Sequence, residues 1–156
     1  MRLKIALGAV AALVLSVQFV PVTRTNPPAD GEIATPDSVQ AILSRACYDC
    51  HSNETDWPWY AYVAPVSWRI TGHVTHGREH LNFSTWRQYD DEERAEKLDE
   101  IWEEVEEGKM PLSNYLRLHS ESRLSDQDLA VLQQWTIDAL AMLEQEVSDS
   151  TRTELH

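Results

Sequence analysis

The five consecutive residues Cys47-Tyr48-Asp49-Cys50-His51 constrain this chain more than any other stretch. They contain both cysteines of a 156-residue sequence, and a histidine directly follows the second one. This spacing is the attachment signature of c-type haem, in which both sulfurs bond to the vinyl groups and the histidine binds iron. The motif therefore predicts one covalent haem held by Cys47, Cys50 and His51.

Two other chemistries use part of the same pattern. A redox dithiol of the thioredoxin type would need a β-α-β pattern around it, and the sequence shows none. A zinc site usually needs four ligands, and His73, His76 and His80 could supply the remainder. A zinc site or a simple disulfide therefore stays open as an alternative to haem.

Composition limits the class of partner. The formal net charge is −13, which makes binding to nucleic-acid phosphates unfavourable. A hydrophobic content of 42% is enough for one globular domain with appendages. The six tryptophans suit the walls of a pocket for a flat aromatic cofactor, although an ordinary tryptophan-rich core would use them equally well.

The first 22 residues predict a targeting segment. Arg2 and Lys4 precede a mostly apolar run over 5–22, in which Gln18 is the strongly polar interruption. This pattern indicates a signal anchor or a signal peptide. We favour a retained anchor, because no clear cleavage site follows the apolar run.

The charge before this run places the remainder of the chain outside the cytoplasm. We therefore expect the protein on the periplasmic side of a bacterial inner membrane, or free in the periplasm if the segment is cleaved. An exported domain is where bacteria are expected to attach haem covalently. Residues 23–34 contain Pro27-Pro28 and Gly31 without a hydrophobic period, and predict a linker.

Helical periodicity accounts for most of the remaining chain, so the predicted fold is all-α. Thr35-Pro36-Asp37 is a helix start, and the helix that follows runs directly into Cys47. Further helices are predicted from Pro65, from Asp90 and from the Ser125 cap. The predicted domain covers 35–146, with a flexible tail over 147–156.

Several residues in the middle of the chain are candidates to contact the cofactor. Trp57 and Trp59 lie in a stretch rich in aromatic and turn residues, which we expect to wrap the haem edge. Arg78 is a candidate to pair with a haem propionate, because a guanidinium matches carboxylate geometry. An ordinary surface salt bridge would explain Arg78 equally well.

Met110 is the candidate ligand for the opposite face of the iron. It follows Gly108, which is expected to end a helix, and it precedes a proline, so a loop could hold its thioether rigidly. Methionine with histidine is an established axial pair for haem iron. His73 is the alternative sixth ligand, and His119 is a weaker one.

Residues 90–107 predict an amphipathic helix with a strongly acidic outer face. The stretch has eleven acidic residues and two basic ones. Such a face is either simply solvated or a docking surface for a redox partner with a basic face.

The order of these parts resembles a class I cytochrome c. More closely, residues from about 35 to 143 are similar to the small bacterial haem-binding domain family. The matching stretches are Cys47 to Asn53, Trp57 to Tyr60, Ala64 to Trp68, His73-Val74, Gly77-Arg78, Leu81 to Ser84 with Trp86, and Glu104 to Leu112 with Tyr115 and His119. The resemblance implies covalent haem at Cys47, Cys50 and His51, with Met110 as sixth ligand.

Three functional hypotheses follow. The first is an exported, membrane-anchored monohaem protein that transfers single electrons and is not an enzyme. The second is a haem-based peroxide or gas sensor, or a peroxidase-like protein, whose sixth ligand is displaceable and whose distal side holds His73 or Arg78. The third is a haem-free zinc or disulfide module.

Overall fold

The computed structural model describes residues 2–154, and this part of the chain contains helices and 3₁₀ turns but no strand. The helices are α1 (Arg2–Val17), α2 (Asp37–Ala46), α3 (Tyr48–His51), α4 (Val66–His80), α5 (Asp91–Glu106) and α6 (Asp126–Glu154). The 3₁₀ turns are Trp59–Tyr62, Phe83–Gln88 and Ser120–Ser122. The all-α prediction is confirmed. The ends of the predicted anchor and tail, residues 1, 155 and 156, lie outside the described residues.

Helix α2 ends directly before the cysteine motif, as its periodicity predicted. Val39, Ile42 and Leu43 lie on its buried face. The helix begins at Asp37, one residue later than expected, and its N-terminus has no side-chain cap. The Thr35 hydroxyl instead donates to the Gln40 side-chain oxygen at 2.9 Å.

The core lies where α2, α5, α6 and the Phe83 turn meet. Its most deeply buried apolar side chains include Leu43, Phe83, Leu98 and Leu132, each no more than 1% exposed. Full burial of such a side chain is worth about 1.5–3 kcal/mol. Because these residues come from both ends of the domain, the core joins the motif-bearing helix to the C-terminal half.

Helices α5 and α6 are both started by reciprocal capping. The Asp90 carboxylate accepts from the Glu93 N–H, and the Glu93 carboxylate accepts from the Asp90 N–H, which is a capping box. Ser125 and Asp128 form the same arrangement before α6, as predicted. These paired bonds satisfy N–H groups that have no partner inside the helix.

Helix α6 is longer than the sequence indicated. It continues to Glu154, through the region predicted to be a separate tail from residue 147. Its buried stripe, with Leu132, Trp135 and Thr136, ends well before that point. Beyond this stripe, the partly buried Leu140 and Leu143 still pack against the core.

The N-terminal segments have distinct structures. The side chains of α1 are exposed almost throughout. Within residues 2–154 there is no helix with both the length and the apolar character needed to cross a membrane. Residues 23–34 are irregular, as a linker would be, but they lie on the domain: the Ile33 N–H donates to the Phe83 carbonyl at 3.0 Å, and Ile33 is buried.

Candidate functional site

The motif turn, residues 47–51, continues directly from α2. The Cys47 N–H donates to the Leu43 carbonyl at 2.8 Å, and the His51 N–H donates to the Cys47 carbonyl at 2.9 Å. The Ser52 hydroxyl then closes the turn by donating to the Tyr48 carbonyl at 2.8 Å. Both cysteines are free thiols. Two thiols and an imidazole are thus presented from about one helical turn of rigid backbone.

The ring of His51 is fixed by two main-chain oxygens. Its Nδ1 lies 3.0 Å from the Gly77 carbonyl and 3.1 Å from the Leu81 carbonyl. Carbonyl oxygens only accept hydrogen bonds, so Nδ1 must carry the proton and Nε2 must carry the lone pair. Burial also lowers the pKa of His51 and favours the neutral ring. The ring is therefore held in the neutral tautomer with the lone pair on Nε2, which is a form of histidine that can bind a metal.

Gly77 allows α4 to lie directly against the motif turn. A Cβ at this position would come within 2.6 Å of the Cys50 carbonyl oxygen, a distance that real Cβ atoms essentially never show. The same helix contains Gly72, where a Cβ would meet nothing within 4 Å. Only the first of these glycines is required by close packing.

Burial keeps both thiols protonated. It raises the pKa of Cys47 to about 12 and that of Cys50 to about 11. The neighbouring Cys50 sulfur also contributes to the raised pKa of Cys47. Redox-active dithiols work the other way, because they expose a cysteine whose pKa is lowered. The turn is therefore poorly suited to dithiol exchange.

Met110 is held at the C-terminal end of α5. Gly108 adopts a positive φ of 68° there, as expected of a glycine that ends a helix. The N–H groups of Lys109 and Met110 both donate to the Glu104 carbonyl, at 3.0 and 2.9 Å. The Met110 side chain is half-buried and packs against the same core as Cys47.

A tyrosine links the loop after Met110 to the motif turn. The Tyr115 hydroxyl donates to the Asp49 carboxylate at 2.6 Å, and the other oxygen of Asp49 accepts from the Asp56 N–H at 3.0 Å. Burial and the Asp49 carboxylate raise the pKa of Tyr115 above its usual range. The Tyr115 ring stacks on His119, with centroids 4.2 Å apart.

His119 extends this link to the aromatic stretch. Its Nε2 shares a hydrogen bond with the Tyr60 hydroxyl, and its Nδ1 lies 3.2 Å from a Glu121 carboxylate oxygen. His119 is therefore committed to protein partners on both ring nitrogens. The contact between Asp49 and Tyr115 could not be predicted from sequence, because the two residues are 66 positions apart.

Arg78 is used mainly to fasten the chain. Its guanidinium donates to the carbonyls of Ser52 and Thr25 at 2.7 and 2.8 Å, and to the side chains of Thr55 and Asn26 at 2.8 and 3.1 Å. Four of its five N–H groups thus have protein acceptors. Its predicted pairing with a propionate stays a prediction, with a single N–H left to serve it.

The other predicted contacts are spread around the domain. The Trp57 indole N–H donates to the Asn26 side chain at 3.2 Å, whereas Trp59 is 79% exposed. His73 is half-buried on α4, where burial and Arg69 lower its pKa. Among residues 2–154 no three histidine, cysteine or acidic side chains are grouped as a metal site.

Comparison with known proteins identifies a family. A family model described as "Haem-binding domain" matches residues 12–138, which is most of the chain. No match was found among curated proteins or among solved structures.

Proposed function

Because the chain belongs to the haem-binding domain family, we propose that it is a c-type monohaem protein that transfers single electrons. The family membership supports a haem cofactor. Covalent attachment is supported by two free thiols on one short helical turn: Cys47 immediately precedes α3, and Cys50 lies within it, directly before His51. The proposal treats the protein as an electron carrier rather than an enzyme.

The fixed tautomer of His51 is the single observation that carries this proposal. With Nδ1 committed to the carbonyls of Gly77 and Leu81, Nε2 is the nitrogen available to iron. Cys47 and Cys50 would hold the group through thioethers. Haem iron bound here would supply a centre that gains and loses one electron. The residues present therefore fit the cofactor.

Met110 is proposed as the ligand opposite His51. Its main chain is fixed by the Glu104 carbonyl, and its side chain packs on the same core as Cys47. A methionine in this position raises the reduction potential relative to a second histidine. His73 is the competing ligand, and it lies on α4, the helix whose Gly77 already supports His51.

We favour electron transfer over the peroxide- or gas-binding alternative because of the hydrogen bonds that Arg78 makes. A distal arginine that serves bound peroxide or gas needs free N–H groups, and four of those on Arg78 are engaged by the protein. An iron held by two protein residues would suit a carrier, because electron transfer does not require substrate to reach the metal.

One experiment tests the cofactor chemistry. The full chain is produced in bacteria with the haem-attachment machinery, then denatured and analysed by mass and by reduced and oxidised spectra. We expect one haem that stays bound after denaturation and a low-spin spectrum. The double variant Cys47→Ser, Cys50→Ser is the control, and should lose covalent haem. Haem that washes out of the denatured wild-type protein would contradict the proposal.

We also propose an exported protein held at the periplasmic side of a membrane through residues 1–22, the predicted anchor segment that includes α1. The basic residues Arg2 and Lys4 before an apolar helix support this orientation. Cleavage after this segment would instead release the domain into the periplasm. Mass analysis of the mature protein distinguishes the two cases.

The redox partner is proposed to have a basic docking face. Helix α5 supports this, because its exposed surface is dominated by carboxylates. Opposite charges chiefly raise the association rate and make it sensitive to salt. Electron-transfer rates with a basic redox protein should therefore fall as ionic strength rises, and an unchanged rate would contradict this assignment.

A further inference from the structure

The acidic residues are distributed unevenly along the chain. None of the 26 aspartates and glutamates occurs in residues 1–29 or in residues 57–78. These two segments nevertheless contain the basic residues Arg2, Lys4, Arg24, Arg69 and Arg78. In a chain of net charge −13, these two segments therefore contribute only positive formal charges of their own.

The second of these segments exposes an apolar surface, which we call the aromatic patch. It is formed by large side chains at the end of the aromatic turn and the start of α4. Its members, with their exposed fractions, are Trp59 (79%), Tyr62 (58%), Val63 (43%), Val66 (44%) and Trp68 (38%). Several large exposed apolar side chains within ten residues of sequence are a candidate interaction surface.

The end of α1 is fastened beside this patch. The Gln18 side-chain amide donates to the Ala64 carbonyl at 3.1 Å and accepts from the Ala64 N–H at 3.0 Å. Gln18 was the polar interruption in the apolar run, and these bonds give it a structural role. Ala64 lies between Val63 and Val66, so the patch begins where α1 ends.

An arginine lies in the same place. The Arg24 guanidinium donates to the Ala61 carbonyl at 3.2 Å and lies 4.5 Å from the centre of the Tyr62 ring. Arg69 follows Trp68 on α4 and is exposed. Tryptophan, tyrosine and arginine side chains are typical of the membrane–water interface, where apolar bodies meet lipid and polar ends reach the headgroups.

The length of α1 points to the same surface. Sixteen residues at about 1.5 Å each give a helix of about 24 Å, whereas the hydrocarbon core is about 30 Å thick. A domain fastened one residue after so short a helix cannot stand far from the lipid. The side facing the lipid would then be the side with the aromatic patch.

We propose that the aromatic patch is a second lipid-contacting surface, which lays the domain against the membrane that holds α1. The proposal rests on the membrane association proposed above and adds an orientation to it. Arg24 and Arg69 reach the lipid phosphates, while the acidic face of α5 is left for a partner in solution. Trp59 is thereby assigned to the membrane surface rather than to the cofactor.

Photo-crosslinking to lipid tests this orientation. The full haem-loaded chain is inserted into phosphatidylcholine vesicles that contain a lipid with a photoreactive acyl chain, and adducts are located by peptide mass analysis. We expect adducts on α1 and on residues 59–68, and none above background on α5. Adducts on α1 with none on 59–68 would overturn the proposal and leave the patch for a protein partner.

Variants separate the patch from the anchor. Trp59→Ser with Tyr62→Ser should lose most adducts on 59–68 and keep those on α1. Leu118→Ser is the matched control, because Leu118 is equally apolar and 68% exposed but lies outside the patch. Gln18→Leu should reduce patch adducts while α1 stays labelled. Absence of adducts on α1 itself would overturn the membrane association and, with it, the patch.

Discussion

The two sides of the proposed haem site are built in different ways. On the His51 side, the ligand is fixed by main-chain carbonyls of Gly77 and Leu81, and α4 lies directly against the motif turn. On the Met110 side, a loop is fixed at one end by the Glu104 carbonyl and linked onward by the Tyr115 hydroxyl.

The difference implies that the His51 side is supported rigidly and that the support on the Met110 side can be adjusted. The carbonyls that hold His51 belong to α4 and the residue after it, so they move only with that helix. The Met110 loop is held by the Glu104 carbonyl, the Tyr115 hydroxyl and the stacking of Tyr115 on His119, and a single substitution can remove one of these contacts. We therefore expect the His51 side to control whether the holoprotein forms, and the Met110 side to control the properties of the iron. The following variants test that division, from the largest expected effect to the smallest.

Gly77→Ala should have the largest effect on stability. The new Cβ would come within 2.6 Å of the Cys50 carbonyl, so α4 must move and His51 must lose its fixed orientation. Overpacking of this kind costs about 1–3 kcal/mol. Denaturant unfolding and the yield of covalent haem measure it. Gly72→Ala is the control on the same helix, and should be neutral or slightly stabilising; equal losses in both would remove the special role of Gly77.

Met110→Ala should change the iron more than the fold. The half-buried thioether leaves a cavity smaller than that of a core methionine, so we expect a loss of about 2 kcal/mol. Covalent haem should be retained, while the methionine-to-iron charge-transfer band disappears and the reduction potential falls. His73→Ala is the matched control. If the band survives in Met110→Ala and the spectrum changes in His73→Ala, the assignment of the sixth ligand is reversed.

Tyr115→Phe should loosen the Met110 side alone. It removes the hydroxyl that donates to Asp49 and keeps the ring that stacks on His119, for a loss of about 1 kcal/mol. The methionine band should disappear at a lower denaturant concentration than the helix signal. A double-mutant cycle with Asp49→Ala, which removes the acceptor, isolates the pair. Additive losses would show that this hydrogen bond does not hold the loop.

Asp128→Asn should have the smallest effect and leave the iron unchanged. The Ser125 N–H and hydroxyl, together with Arg45, lower the pKa of Asp128. A carboxyl with a lowered folded-state pKa stabilises the fold above its unfolded pKa of about 3.9, and this is lost as pH falls through the folded value. We expect a difference of about 0.5 kcal/mol at neutral pH, because the group is near the surface.

The control for this last prediction is pH itself. Wild type and Asp128→Asn should converge in stability as the pH is lowered through the acid range. Asp126→Asn, at the first position of α6, supplies a second acidic residue without the Ser125 bonds. A difference in haem spectrum between Asp128→Asn and wild type would contradict the expectation that Asp128 affects only the stability of the fold and not the iron.

Signals between residues close in sequence were sufficient to predict the helices and the haem-attachment motif. The Ser125 and Asp128 pair predicted the start of α6, and Gly108 predicted the end of α5. Both predictions depend on bonds between residues close in sequence. Helix α6 extends to Glu154, beyond Leu143, the last residue of its predicted apolar stripe, because periodicity marks the packed face of a helix and gives no information on where the helix ends.

The contacts that position the ligands were not predictable in the same way. Gly77 lies 27 positions after Cys50, and Tyr115 lies 66 positions after Asp49. Nothing in the spacing of a lone glycine or tyrosine indicates which distant backbone or carboxylate it will meet. The candidate ligands could therefore be predicted from sequence. The contacts that support them depend on the packing of α3 against α4 and of the Met110 loop against the motif turn, and only the structure shows this packing.

The uneven placement of acidic residues also governs how copies of this chain meet one another. Each copy has a net charge of −13, so most approaches are opposed at separations within a Debye length of about 10 Å at 0.1 M salt. Residues 57–78 add no acidic side chain of their own to this repulsion, and the carboxylates that act on Tyr60 come from Asp49 and Glu121. Away from lipid, self-association through the exposed Trp59 and Tyr62 should therefore become easier as added salt screens the repulsion between copies.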